Sequence, residues 1–435
     1  MRRGRPTKLT ALGLLAATYC IVAGGPYGLE DIVGKAGGYA AAMFILIVTP
    51  LVWAIPTGLM VSELASAIPK EGGFYAWVRR AMGPFWGYQE AWLSLAGSMF
   101  DMAIYPTLFA AYLARLFPVL GQGWWPVAVG SAMIAVCVAW NLLPAREIGR
   151  GSAVLTALVL SPFVVLVGLA LAHAPVAGPA PAPPGGLDLL GGVMVAMWNY
   201  MGWDNASTVA EEVERPATTY PLTMLRGVTI VTLSYVIPVA ACAWAGIDLG
   251  LWSTGGWADI ARVLGGTMLA GAVVVAGAAA NAGTFNALVL SLTRLPMVMA
   301  EDGYLPRIFA WKHPKTGVPV VSLLASAATW AVCQGLGFVS VVVLDVLLSG
   351  LSMLLEFAAL VVLRVREPGL RRPYRIPGGL WGVVAVCVGP TALIVLSFVR
   401  ADAETILGMS GLVFSLIVIG LGPVCYWLSV IAARP

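Results

Sequence analysis

Long apolar runs, separated by short polar segments, recur along the whole chain. A helix of about 20 apolar residues crosses a hydrocarbon core roughly 30 Å thick. Twelve runs are legible, near residues 9–33, 39–68, 84–114, 124–143, 149–172, 187–210, 221–246, 263–299, 319–336, 339–363, 379–398 and 404–431. The pattern predicts an all-α integral membrane protein with 12 transmembrane helices. The first run follows Arg2, Arg3, Arg5 and Lys8, as a secretory leader does, but carries no small-residue cleavage site after a short apolar core. It is expected to stay in the mature protein.

Two runs are interrupted. The first meets Gly24, Gly25 and Pro26. Proline has no N–H to donate, and glycine admits dihedrals other residues avoid. The sixth carries Asn199, Gly202, Asp204 and Asn205 at what should be membrane depth. A carboxylate there costs roughly 2.5–3.5 kcal/mol on insertion scales. Irregular backbone persists at that depth only where protein or a wet cavity satisfies it. Helices 1 and 6 are therefore expected to be unwound mid-membrane, and such paired breaks point to a substrate site. The plainer alternatives are a proline kink at Pro26 and a helix-capping Asp204.

A Pro/Gly linker over 173–186 separates two groups of five runs, each beginning with a broken one. That is the plan of a 5+5 inverted repeat plus two extra helices. A single transporter domain is expected, with repeat one at about 9–172, repeat two at about 187–363 and helices 11–12 at about 379–431.

Composition agrees. Of 435 residues, 60% are hydrophobic and 11% charged, which excludes an ordinary soluble domain. If the N-terminus is cytoplasmic, 21 of the 25 lysines and arginines fall on the cytoplasmic side. Only Lys35, Arg115, Arg262 and Arg400 fall outside. This predicts a multi-pass protein of the cell membrane with both termini cytoplasmic. The net charge of +4 is then a topology signal, and no nucleic-acid partner is expected.

Charged residues inside the runs are the candidates for chemistry. Beyond the first break, Tyr27, Gly28 and Leu29 start a new half-helix, with Glu30 and Asp31 in its first turn. Glu90 and Asp101 are eleven residues apart, about three helical turns, and share a face. Asp345 and Glu356 repeat that spacing. Small residues over 276–285 favour close helix packing, while Asn281, Thr284 and Asn286 are candidates to face a cavity. The segment from Ser62 to Trp77 reads as a cytoplasmic gate loop. Cysteines occur singly within the runs, and His173 and His313 fall in loops. No phosphate-binding loop, nucleotide-binding glycine pattern or catalytic triad spacing occurs. No enzyme activity, metal or cofactor is expected.

Several motifs together carry a family resemblance. They are Gly24-Gly-Pro-Tyr-Gly-Leu-Glu-Asp31, the Glu63–Trp77 loop, Trp198-Asn with Gly202-Trp-Asp204, and Glu211-Glu-Val-Glu-Arg-Pro216. Leu354-Leu-Glu-Phe-Ala-Ala359 and Arg371-Arg-Pro-Tyr-Arg-Ile-Pro377 complete the set. The chain resembles the amino acid–polyamine–organocation superfamily over runs one to eleven. Within it, the chain looks closest to plant and protozoan polyamine uptake carriers, beside the L-type amino acid transporters. The resemblance implies a LeuT-like fold with a site between helices 1, 3, 6, 8 and 10. It implies that Gly24, Gly25 and Pro26 hold the substrate's polar end and that Trp198 is an aromatic gate. Asp204 matches a position that is acidic in several polyamine and arginine carriers and Asn in leucine-preferring ones. Some proton-coupled relatives carry a lysine in helix 5, but Leu155–Val165 contains none.

An amino-acid substrate needs donors for its carboxylate, and Pro26 removes one. An amine needs an acceptor, and Asp204 supplies a charge-assisted one. Tyr27, Trp198, Tyr200 and Trp203 would add cation–π contacts worth roughly 0.5–2 kcal/mol each. The expected function is alternating-access, proton-coupled uptake of a polyamine such as putrescine or spermidine. The expected substrate-binding residues are Gly24, Gly25, Pro26, Tyr27, Asp101, Trp198, Tyr200, Gly202, Trp203 and Asp204. Glu30, Asp101 and Glu356 are candidates to carry a coupling proton. A neutral or cationic amino acid permease or exchanger is the alternative, and a non-transporting sensor or channel a lesser one. Monomer and homodimer stay equally open.

Overall fold

A computed structural model describes residues 10–70, 72–142, 152–173, 187–207, 213–314 and 316–432. Several sequence features lie outside these residues: the N-terminal basic cluster, Arg146, Arg150, the linker after His173, Glu211, Glu212, Lys315 and Arg434.

Helix α1 (Ala11–Val22) begins where Thr10 Oγ1 accepts the Gly13 N–H, 3.2 Å away. Its ladder stops before Gly24, Gly25 and Gly28, whose φ values are +55°, +106° and +86°. Helix α2 (Glu30–Ala36) then resumes and ends at Gly37 in the left-handed region. The second apolar run is α3 (Tyr39–Thr49) and α4 (Ile55–Ala67), joined by a π turn over Pro50–Ala54. A short amphipathic helix, α5 (Gly73–Met82), occupies the expected gate loop. Next come α6 (Pro84–Leu116), α7 (Trp125–Asn141) and α8 (Ser152–Ala172). Helix α9 (Leu189–Asn199) ends at Tyr200, in the middle of the sixth run. Then follow α10 (Pro216–Trp244), α11 (Trp257–Leu292), α12 (Arg294–Glu301), α13 (Val320–Cys333) and α14 (Phe338–Arg366). Helix α15 (Gly379–Asp402), a small hairpin of β1 (Thr405–Ile406) and β2 (Met409–Ser410), and α16 (Gly411–Ala432) complete the order.

Among the described residues, seven helical segments are long and apolar enough to cross a membrane, and four apolar helices are shorter. The shorter ones include α1, whose run is cut by the glycine break. The outer surface is apolar, with Met268, Trp381 and Val332 among its most exposed residues. Such a surface suits lipid rather than water.

Helix α6 is the axis of the bundle, packed chiefly against α14 and α11. The apolar stretches of α6 and α14 are each 67% buried, against 22% for α15 and 11% for α16. The last two helices are peripheral additions. A Cβ on Gly97 would come within 2.2 Å of Ser349 Oγ, so glycine lets α6 and α14 approach closely there.

The α4 end of the bundle holds a buried ion pair. Arg364 donates to Glu63 through Nε at 2.5 Å and Nη2 at 2.6 Å. Arg372 Nε lies 3.2 Å from the same carboxylate, and the Ile376 N–H donates to it at 2.8 Å. This knot ties the Arg371–Pro377 segment and α14 to α4.

Candidate functional site

The two helix breaks meet inside the bundle. Asn199 Nδ2 donates to the Gly28 carbonyl across 3.4 Å. Side chains also satisfy carbonyls the breaks set free. The Trp257 indole donates to Pro26 O at 2.6 Å, Thr284 to Cys20 O at 3.3 Å and Tyr235 to Asn199 O at 3.0 Å. Irregular backbone is thus held by protein, as membrane depth requires.

A cavity opens beside the breaks, with an empty volume of about 920 Å³ including its mouth. Its walls come from the first break, the break after α9, and helices α6, α11 and α14. Asp101, Asp204 and Asp345 all line it. Among the described lining residues, none is Lys, Arg or His. Uncharged polar groups fill in between: Ser94, Ser98, Asn199, Asn205, Asn281, Thr284, Ser349 and Ser352. The cavity carries three acidic residues and, among its described lining residues, no cation.

Aromatic rings close one end. The Trp198 indole donates to Asp101 Oδ1 at 3.1 Å, and the Tyr105 hydroxyl donates to the same oxygen at 3.2 Å. Phe338 packs edge-on against Trp198, with ring centroids 5.8 Å apart. The other end reaches Phe74 of α5 and Leu292 at the end of α11.

Six of the ten expected substrate residues line this cavity: Gly24, Tyr27, Asp101, Trp198, Gly202 and Asp204. Four sit elsewhere. Gly25 is backed by Val159 and the Tyr27 ring, and the Pro26 carbonyl is engaged by Trp257. Tyr200 is buried with its hydroxyl on Leu46 O at 2.9 Å. Trp203 is buried with its indole on Tyr200 O at 2.8 Å. Both rings sit on the packed side of the broken segment, since chain beyond Asn199 is no longer helical and sequence spacing no longer fixes direction. Asn281 and Thr284 line the cavity, whereas Asn286 accepts from Asn141 Nδ2 at 2.7 Å instead.

The coupling candidates also separate. Glu30 lies outside the cavity wall, accepting the Gly28 N–H at 2.7 Å and the Tyr112 hydroxyl. It tethers the start of α2. Glu356 is buried and is not among the lining residues.

Asp345 was visible in the sequence but not placed in the substrate site. Its spacing to Glu356 matches that of Glu90 to Asp101 on the facing helix, and that match was the available signal.

A bundle of membrane-length helices with two broken members around a polar cavity defines the class of small-molecule membrane transporters. The chain belongs to the amino acid permease family, whose description matches residues 12–422. It is 36% identical over 414 residues to a probable polyamine transporter of Arabidopsis thaliana, covering 94% of this chain and 85% of that one. It is 36% identical over 400 residues to the polyamine transporter RMV1 of Arabidopsis thaliana, covering 89% and 79%. It is 35% identical over 387 residues to the polyamine transporter PUT1 of Oryza sativa subsp. japonica, covering 89% and 72%. The chain is therefore a multi-pass membrane transporter acting on small molecules.

Proposed function

We propose that this chain is a secondary active carrier of polyamines. It takes up di- and polyamines across the cell membrane by alternating access, driven by protons. The observation that carries this reading is the trio Asp101, Asp204 and Asp345 around one cavity, with no cationic partner among its described lining residues. Carboxylates in a low-dielectric wall are costly unless a cation joins them. A dication with ammonium groups at both ends of an aliphatic chain supplies that charge and fills the apolar space between.

The first break also disfavours an amino-acid carboxylate. The Gly24 N–H is taken by Tyr19 O at 3.3 Å and the Gly28 N–H by Glu30 at 2.7 Å, while Pro26 has none.

In this mechanism all twelve apolar runs cross the membrane, with both termini cytoplasmic. The substrate's ammonium groups bind Asp204 and the Asp101–Asp345 side. Trp198 and Tyr105 close the outer end, and the two five-helix repeats rock until the cavity empties past Phe74. Labelled putrescine uptake into proteoliposomes under an inward proton gradient tests the reading, with spermidine, arginine and leucine as competitors. Saturable putrescine accumulation that spermidine blocks and leucine does not is expected. Accumulation of an amino acid with putrescine ignored would refute the polyamine assignment.

A further inference from the structure

Helices α6 and α14 carry two tiers of carboxylates. Asp101 and Asp345 form the upper tier, in the cavity wall. Glu90 and Glu356 form the lower one, each eleven residues from its partner above, or about 16 Å along a helix. The helices approach closely at Gly97 and Ser349, between the tiers. Just above the lower tier sit Ser94 and Ser352, which both line the cavity and lie 2.7 Å apart. Ser94 donates to Glu90 Oε1 at 2.7 Å and Ser352 to the same oxygen at 2.8 Å.

The lower tier is left incomplete. Glu90 is 0% exposed and Glu356 1% exposed. Glu90 Oε2 and Glu356 Oε2 are buried with no hydrogen-bond partner. Among the described residues, neither carboxylate forms an ion pair with Lys, Arg or His. Glu356 feels the charges of Asp204 and Glu90, and Glu90 that of Asp204, all acidic. Two such groups call for a cation, and no cavity wall exposes them to a substrate-sized one.

We propose that Glu90 and Glu356 form a shared proton-binding site that couples transport, reached from the cavity through the Ser94–Ser352 pair. A proton from outer solution binds one carboxylate oxygen of the pair. It leaves from that oxygen to the cytoplasmic solution once the cavity faces inward. Each serine hydroxyl accepts one proton and donates another, so neither is consumed. The substrate's charge at Asp204 and the proton below it act on the same electrostatic network, so binding of each depends on the other. The site rests on the proton-driven reading above, and it adds Glu90 and the serine pair to the mechanism.

The test compares wild type with Glu90→Gln and Glu356→Gln in proteoliposomes at clamped membrane potential. Two quantities are read: accumulation of labelled putrescine under a proton gradient, and gradient-free exchange of internal for external putrescine. A pH-sensitive dye inside reports proton entry. One pH unit supports about tenfold accumulation for one-to-one coupling. The variants should fall to a ratio near one and lose proton entry, yet keep exchange. Ser94→Ala combined with Ser352→Ala should slow proton entry in step with uptake. Wild-type accumulation in both glutamine variants overturns the site. So does loss of exchange in a variant that melts at the wild-type temperature, because the role is then not specific to the proton. Accumulation that follows a sodium gradient, with no dye response, overturns the proton as the ligand. If wild type ignores putrescine, the polyamine reading has failed, and the same two readouts are taken with the amino acid it accumulates.

Discussion

Two of the buried acidic sites along α14 differ in who supplies the positive charge. Glu63 meets Arg364 at one end of that helix and is neutralised within the protein by Arg364, Arg372 and the Ile376 N–H. Asp345, nearer the other end, shares a cavity with Asp101 and Asp204, and no ion pair joins any of the three among the described residues. The first arrangement is structural: the Glu63 carboxylate meets its partners once the chain folds. The second has no cationic partner among the described lining residues, and in the proposed function the substrate supplies one. Burying an acid with its partner fixes a fold, and burying one without a partner makes a site for a cation.

That contrast is broken most severely at the self-neutralised end. Arg364→Leu leaves the fully buried Glu63 short of its bidentate partner and should cost about 3–5 kcal/mol. The expected outcome is a large drop in melting temperature in detergent, or loss of folded protein. A wild-type melt would place the knot's stabilisation elsewhere.

The cavity end should respond in the opposite sense. Asp204→Asn and Asp345→Asn remove a negative charge facing the proposed substrate, not a partner of the fold. A charge-assisted hydrogen bond is worth about 1.5–3 kcal/mol, so KM for putrescine should rise about 10- to 150-fold. Melting temperature should hold or rise, because repulsion among the aspartates is relieved. Unchanged KM in both variants would remove these residues from the substrate site.

Between these lies the break itself. Gly24 has φ +55°, and a Cβ there would come within 2.5 Å of Thr284 Oγ1. Gly24→Ala should destabilise by about 1–2 kcal/mol through the left-handed backbone alone. Thr284→Ala should relieve the clash but not that strain, and the double variant's melt reads the remainder.

The smallest effect belongs to the surface pairs. Glu367 accepts from Arg80 Nε at 3.0 Å and Nη2 at 2.6 Å. These hydrogen bonds and the Arg80 charge hold its carboxyl below the usual range. A lowered value means the pair's contribution is full at neutral pH and is lost as pH falls through that value. Glu367→Gln should cost less than about 1 kcal/mol at neutral pH, and less still in high salt. Below the carboxylate range, variant and wild type should melt alike.

The family relation was legible in short motifs, and the two breaks in local backbone chemistry. The Gly24-Gly25-Pro26 run removes helical backbone capacity locally, whereas isolated residues such as Gly97 and Pro106 stay inside α6, and a carboxylate at membrane depth is a candidate for function before its neighbours are known. Asp101, Asp204 and Trp198 could therefore be named from the chain. Tyr200 and Trp203 could not be placed, because past Asn199 the backbone leaves the helix and the 3.6-residue period stops predicting direction. Asp345 and Ser94 were hidden for a different reason. Each lies on a regular helix, but which face meets the cavity depends on how α14 docks on α6 at Gly97.

The sequence by itself determined a membrane bundle, its interrupted helices and the acids within them. Hydrophobicity and backbone chemistry act locally, so they can be read residue by residue. Only the tertiary structure decided which acids are neutralised and which are left open. That depends on whether a cation from a distant segment, such as Arg364 facing Glu63, arrives within hydrogen-bonding distance. For Asp101, Asp204 and Asp345 none does among the described residues, and the cavity is left acidic.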